Sequence, residues 1–345
     1  MQGFKFRPWG RPSWLRTKFG NQSWCVLACQ GTEKRSVKSA VDIAKAEDFV
    51  FLVRIDDPNI GPEQEYNERV QVLSDNLKYF QENCECGYEV RSGDLKASID
   101  LIRKICDEAI DKSDSIILDI TSFPKRWFFP MVRHLVSNGR VKNLQVVYTK
   151  GNGHAESLSE NPEILRVLPT FVDDDDRSDH DFAFVGVGFH THGMLQLFGA
   201  DKTMSLQLLF PFPPGPPGIQ RNWKFVQEVE MKVHKEDGHT SSPDPIAYLH
   251  LDSIDVSQAF DAMKIVTEAG ERTSVMAPYG PKTFSLAMCL FALACERAGK
   301  GDVPVYYSQP QKYTIEYTKD VCLRNGTLDN WAYAIKRAGT YVYEM

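Results

Sequence analysis

The sequence predicts an α/β protein made of two tandem Rossmann-like parallel-sheet units related by internal duplication. Three observations carry this. Short, continuous apolar runs alternate with longer amphipathic segments, the pattern of parallel strands buried on both faces by helices. A junction at 115–126, where an apolar run ends in Asp119, hydroxyl residues, Pro124 and Lys125, recurs at 273–282. Lys125 and Lys282 stand 157 residues apart, while Val26 and Val185, like Val147 and Tyr306, stand 159 apart, so nearly one register relates the two halves.

The elements follow in order from local pattern. Residues 1–22 form a basic aromatic arm: Lys5, Arg7, Arg11, Arg16 and Lys18 are interleaved with Phe4, Phe6, Trp9, Trp14 and Phe19, with no acid among them. Such an arm can dock nucleic acid through residues 1–20, or its aromatics can simply pack on their own domain. The first unit, 23–150, reads as strands at 24–29, 49–55, 88–91, 116–120 and 144–148, with helices at 34–46, 64–83, 95–110 and 126–137 between them. In 64–83 the apolar residues Tyr66, Val70, Leu73, Leu77 and Phe80 fall on one helical face. Residues 151–180 read as an acidic linker, because the adjacent carboxylates Asp173 to Asp176 repel one another and prefer water.

The second unit, 181–310, repeats the order. Strands are expected at 184–188, 206–210, 247–251, 273–277 and 303–307, with a short helix from Met194 and helices near 223–229, at 257–268 and at 283–298. The last of these is apolar nearly all round, so it should lie buried between layers. Five prolines in 211–218 remove amide donors and predict a stiff loop. Residues 311–345 form a C-terminal extension, expected to fold as a hairpin or helix on the second unit.

Composition excludes several classes. A net charge of −6 and 25% charged residues leave no global basicity of a nucleic-acid binder. The eight cysteines are scattered, several inside apolar runs, which suggests a reducing compartment. No apolar run reaches the roughly 18 residues of a membrane span, and no signal-peptide pattern opens the chain. The expected location is the cytoplasm, with no membrane partner.

The chemistry lies at strand ends. The first strand leads into Gly31, Thr32, Glu33, Lys34, Arg35 and Ser36 at a helix start, where unpaired amides and a partial positive charge attract anions. Thr121, Ser122, Lys125 and Arg126 in the first unit, and Tyr279, Gly280, Lys282 and Thr283 in the second, add hydroxyl and cationic groups to equivalent rims. Taken singly, each of these hydroxyls reads more simply as a helix cap; the recurrence of Pro-Lys favours function. His190, Thr191 and His192 occupy the second unit's counterpart of the Gly31 loop. An H-x-H pair without a third ligand is poor zinc evidence, so no metal and no cofactor is expected. The chain has no G-x-G-x-x-G, G-x-x-x-x-G-K-[ST] or G-x-S-x-G motif, which weighs against dinucleotide oxidoreductases, P-loop NTPases and serine hydrolases. The balance is against an enzyme; if there is one, Glu33, Asp119 and His192 are its acid–base candidates.

The Gly-Thr-Glu-x-Arg-Ser loop after the first strand and the hydroxyl-containing turn with lysine after the fourth resemble the CARF sensor domains of bacterial antiviral systems. Two such units in one chain resemble the SAVED arrangement. The resemblance covers roughly 24–149 and 182–308. It implies a nucleotide-sensing regulatory subunit of an antiphage defence system, binding a phosphorylated, in that family cyclic, nucleotide between two CARF-like units. Thr32, Arg35, Ser122 and Lys125 would form one half-site, and His190, Thr191, Gly280 and Lys282 the other. The family's glycine before the turn lysine is replaced by Phe123-Pro124 in the first unit, and no effector domain is recognisable, so the effector would be a separate partner protein. Alternatives are a nucleotide-processing enzyme, a phosphodiesterase or N-glycosidase, and a non-catalytic structural subunit docking a nucleoprotein complex.

Overall fold

The computed structural model describes residues 6–20, 22–56, 62–155, 159–172, 180–197, 204–213, 218–236, 246–315 and 317–345, with only the backbone at 159–161 and 232–236. The acidic run Asp173 to Asp176 and loop residues 214–217 lie outside them. The chain divides into two compact units, Met1–Asn161 with Gln311–Val342, and Pro162–Pro310 with Tyr343–Met345.

In the first unit the alternation expected from the sequence is present. It runs β1 (Cys25–Gln30), α1 (Lys34–Ile43), β2 (Phe49–Asp56), α2 (Glu63–Asn83), β3 (Gly87–Asp94), α3 (Ile99–Lys112), β4 (Ser115–Asp119), α4 (Lys125–Ser137) and β5 (Asn143–Thr149). These strands lie parallel in the order β3-β2-β1-β4-β5. Cys25 pairs with Phe49 on one side and Ile116 on the other, so β1 is central, and all six of its residues are buried. Helices α1 and α2 pack together, as do α3 and α4. The strand order reverses between β1 and β4, and at such a reversal the loops leaving the carboxyl ends diverge and open a crevice.

The amphipathic face of α2 is buried only from its middle, at Leu73, Asn76 and Phe80, while Tyr66 and Val70 are exposed. The C-terminal extension corrects an expectation: its strand Asn330–Arg337 adds antiparallel to β5 in the first unit, Tyr333 opposite Val146. The open edge of β5, with Leu144, Val146 and Val147 buried, otherwise exposes unpaired backbone, and the extension covers it. The described part of the N-terminal arm packs on the same unit. Trp9 lies 5.5 Å from Trp331, Leu15 is buried, and Arg16 forms a bidentate pair with buried Asp48 at 2.6 and 3.0 Å.

The second unit runs β6 (Phe182–Gly186), a 3-10 turn at His192–Leu197, β7 (Ser205–Phe212), α5 (Gly218–Glu236), β8 (Ala247–Asp252), α6 (Val256–Val266), β9 (Ser274–Ala277) and α7 (Lys282–Arg297). Its strands are parallel in the order β8-β7-β6-β9. Helix α7 is buried on every side from Thr283 to Cys295. Two expectations need correction. The ladder continues to Phe212, two residues into the proline-rich stretch, because Pro211 sits at a strand end where a missing donor is tolerated. A fifth strand at 303–307 is reduced to a single parallel bridge from Val305 to Met276, while Tyr306–Tyr307 pairs antiparallel with Arg166–Val167; Pro304 cannot donate to a ladder. The fold is mixed α/β, its larger sheet mostly parallel. Among the described residues no helix is long and apolar enough to cross a membrane.

Candidate functional site

Both reversal points place two loops in contact, the one after the first strand of the sheet and the one after the fourth. In the first unit a Cβ built on Gly31 meets the Ser122 Cβ at 3.2 Å; in the second, a Cβ on Gly188 meets the Tyr279 carbonyl oxygen at 2.2 Å. Gly31 and Gly188, like Ser122 and Tyr279, are 157 residues apart. Each fourth-strand loop ends in a proline N-cap, Pro124 or Pro281, with the lysine as first helical residue. Each first-strand loop is clamped from the helix after the second strand. The Asn76 amide donates to the carbonyls of Gly31 at 2.8 Å and Thr32 at 3.2 Å, and the Asn222 amide donates to the Gly188 carbonyl at 2.9 Å. Sequence reasoning missed both asparagines, yet they carried a signal. Each falls in helical register with buried apolar residues, Asn76 with Leu73 and Phe80, Asn222 with Phe225, Val226 and Val229, and a buried amide there needs a backbone partner.

In the first unit the rim is tied up internally. Arg35 is buried and donates to both Glu33 carboxylate oxygens, at 3.0 and 3.2 Å, and to the Thr149 carbonyl at 3.0 Å. Burial alone would lower its pKa, but the facing Glu33 carboxylate, with Tyr148, raises it above the ordinary arginine value. Glu33 also accepts from Thr318 Oγ1 at 2.7 Å and Ser122 Oγ at 3.5 Å. Thr318 arrives on the segment 317–322, which bridges residues 151–155 and lies over this end of the unit; Gly151 has no room for a side chain against it. Tyr317, in the same segment, is pushed up to about 12 by burial and then by Glu33. Ser36 Oγ donates to the Glu33 carbonyl at 2.7 Å, buried Asp119 accepts from the Thr121 amide at 2.9 Å, and Thr121 Oγ1 accepts from the Thr149 amide at 2.9 Å. Lys125 is buried and Arg126 half-buried. Glu33 and Asp119 are thus held in hydrogen bonds that fix the loops, with Ser36 and Thr121 bonded to backbone and Ser122 and Thr318 bonded to Glu33.

The second unit is different in character. Thr191 Oγ1 donates to Glu228 of α5 at 2.7 Å, buried Thr283 bonds the Ser253 carbonyl, and the Tyr279 hydroxyl accepts from the Ser308 amide at 3.0 Å. Burial pushes Tyr279 up to about 12. His190 is exposed, with its ring 5.5 Å from that of His192, whose backbone takes a φ of 42°. Helix α5 brings Arg221 over the Phe189 ring, 5.5 Å from its centre. The His190 pKa is lowered, first by desolvation and then by Arg221 and Lys224, against an opposing pull from Glu228. Arg221 and Lys224 of α5 thus add positive charge beside the His190 loop, with Glu228 of the same helix opposing them, and the loop in contact with Gly188 runs on to Lys282 at the start of α7. Arg221 and Lys224 were missed because the expected helix was placed only near 223–229, whereas it begins at Gly218, so its first turns were not counted among the strand-end groups. Among the described residues no group of three or more His, Cys, Asp or Glu side chains could hold a metal ion. No family model matches the chain, and no curated protein matches it in sequence.

Proposed function

We propose that the chain is a nucleotide-binding regulatory subunit of a bacterial antiphage defence system, made of two duplicated Rossmann-like units and acting through a separate partner protein. The observation that carries the binding half of this reading is the placement of Arg221, over the Phe189 ring, and Lys224 beside the His190 loop, where the imidazole pKa is lowered first by desolvation and then by the positive field of these two residues, which Glu228 partly offsets. An anion placed there neutralises that field, and a phosphate can accept from a guanidinium in bidentate fashion. The common register of Gly31 with Gly188, Ser122 with Tyr279 and Lys125 with Lys282, each pair in the same loop contact or cap, supports the duplication. The CARF/SAVED resemblance supplies the defence setting and the cyclic nucleotide. Binding without turnover is favoured over phosphodiesterase or glycosidase chemistry because Glu33 is committed to Arg35 and Thr318.

The test is calorimetric titration of the full chain with linear and cyclic oligonucleotides, followed by mass spectrometry of the recovered ligand. At least one phosphorylated species should bind and be recovered intact, and Arg221→Ala with Lys224→Ala should weaken it at least tenfold. Failure of every phosphorylated species to bind overturns the proposal; recovery of a cleaved product replaces it with the enzymatic reading.

A further inference from the structure

Cys84 and Cys86 lie outside the strand-end loops, at the turn from α2 into β3. Cys84 is the C-cap of α2, its amide donating to the Phe80 carbonyl at 2.8 Å, and its backbone is already extended. In extended chain, side chains two residues apart fall on the same side. The two sulfurs therefore face each other at 3.4 Å, with Glu85 between them exposed. Cys86 is buried at 8% exposure while Cys84 is partly open to solvent, so the contact has one reachable member and one sheltered member. The other buried thiols, Cys25, Cys29, Cys106, Cys289 and Cys295, are packed as core. Strand β3 is the edge strand of its sheet, so the turn that precedes it has room to adjust.

We infer that Cys84 and Cys86 form a redox-responsive dithiol that closes to an intramolecular disulfide by exchange with a low-molecular-weight disulfide. The Cys84 thiolate attacks one sulfur of the small disulfide, giving a mixed disulfide on Cys84 and releasing one small thiolate. Cys86 loses its proton to solvent and its sulfur attacks Cys84 Sγ, expelling the second small thiolate. Two protein thiols are oxidised and one small disulfide is reduced to two thiols. Closure shortens the sulfur separation from 3.4 Å to a covalent bond of about 2.05 Å, a movement that side-chain rotation and the turn can absorb.

The second step requires Cys86 to lose its proton. Burial, then the Cys84 contact and Asp48, holds the Cys86 thiol above its ordinary range. Cys25 is buried nearby, and burial first of all pushes its thiol up, with Lys112 pulling it down and Asp48, Cys86 and Glu89 adding to the rise. Only the thiolate attacks, so closure should quicken about tenfold per pH unit between roughly pH 7 and 9.

The experiment exposes the full chain to oxidised glutathione, alkylates the remaining thiols and maps peptides without reduction. In wild type, Cys84 and Cys86 should be recovered in one peptide, unalkylated and lighter by two hydrogens, and dithiothreitol should restore both thiols. Cys86→Ser should stop at a glutathione adduct on Cys84, and Cys84→Ser should give neither product. A lasting adduct on Cys84 in wild type, a cross-link from Cys86 to Cys25, or no reaction in the folded chain while the denatured chain reacts would each overturn the inference.

Discussion

Gly188 offers the sharpest test of how the strand-end loops are built. A Cβ at this position lies 2.2 Å from the Tyr279 carbonyl oxygen and 2.9 Å from its carbon, whereas such contacts do not come below 3.0 Å. Gly188→Ala therefore demands a backbone displacement of roughly 0.8 Å, and the atom in the way is main chain, which cannot swing aside as a side-chain tip can. The opposite loop is also tight, though less so: a Cβ on Gly280 meets the Val187 carbonyl oxygen at 2.9 Å. Forced overpacking of this kind costs about 3 kcal/mol. For a unit of this size that lowers the melting temperature by roughly 6–12 °C. Differential scanning calorimetry reads the shift, with two comparisons built in. Gly31→Ala meets nothing closer than the Ser122 Cβ at 3.2 Å and should cost a fraction of that, while Gly139→Ala meets nothing within 4 Å and should be neutral or slightly stabilising. The same displacement moves His190, two residues along, so Gly188→Ala should also weaken anion binding. If Gly188→Ala melts with Gly139→Ala, the two loops are not in backbone contact and the geometry ascribed to the second unit is wrong.

Other substitutions probe other parts of the argument. Gln145 in β5 is fully buried, with neither amide atom hydrogen-bonded, so Gln145→Leu should stabilise the first unit by about 1–2 kcal/mol, seen as a higher urea midpoint at unchanged slope. Arg16→Leu strands the buried Asp48 carboxylate and should cost about 3–5 kcal/mol, with Asp48→Asn in the same chain recovering part of the loss; additive single effects would refute the pairing. Because Arg16 holds Asp48, deleting the arm should likewise destabilise the first unit. His190 should titrate below its ordinary value of 6.5 in an NMR pH series, and Arg221→Ala should raise its midpoint. The sign for stability follows: a lowered imidazole pKa costs nothing above pH 6.5 and destabilises progressively as pH falls through the folded value, and a bound anion reverses that trend. An upward-shifted His190 in the free protein would remove the cationic field from the argument.

Much of the fold was legible in the chain because local pattern and burial agree there. The buried run of β1, the junction at Asp119 and the all-apolar helix after Lys282 read correctly because parallel strands and enclosed helices leave few polar positions. Where polar residues satisfy one another across the fold, the chain was silent. Nothing in the spacing of Glu33 and Arg35 says that they close on each other instead of on a ligand, nor that Thr318, 285 residues away, joins them.

What the amino-acid order determined by itself is the alternation of strand and helix, because periodicity is a local property of consecutive residues. Tertiary structure decided which strand ends meet and which charges are satisfied. It placed the C-terminal strand on β5, withdrew Arg35 from the first rim and set Arg221 of α5 over Phe189 in the second. Those outcomes depend on pairing across long separations, where the free energy of a contact is set by burial and by competing partners that no local window contains.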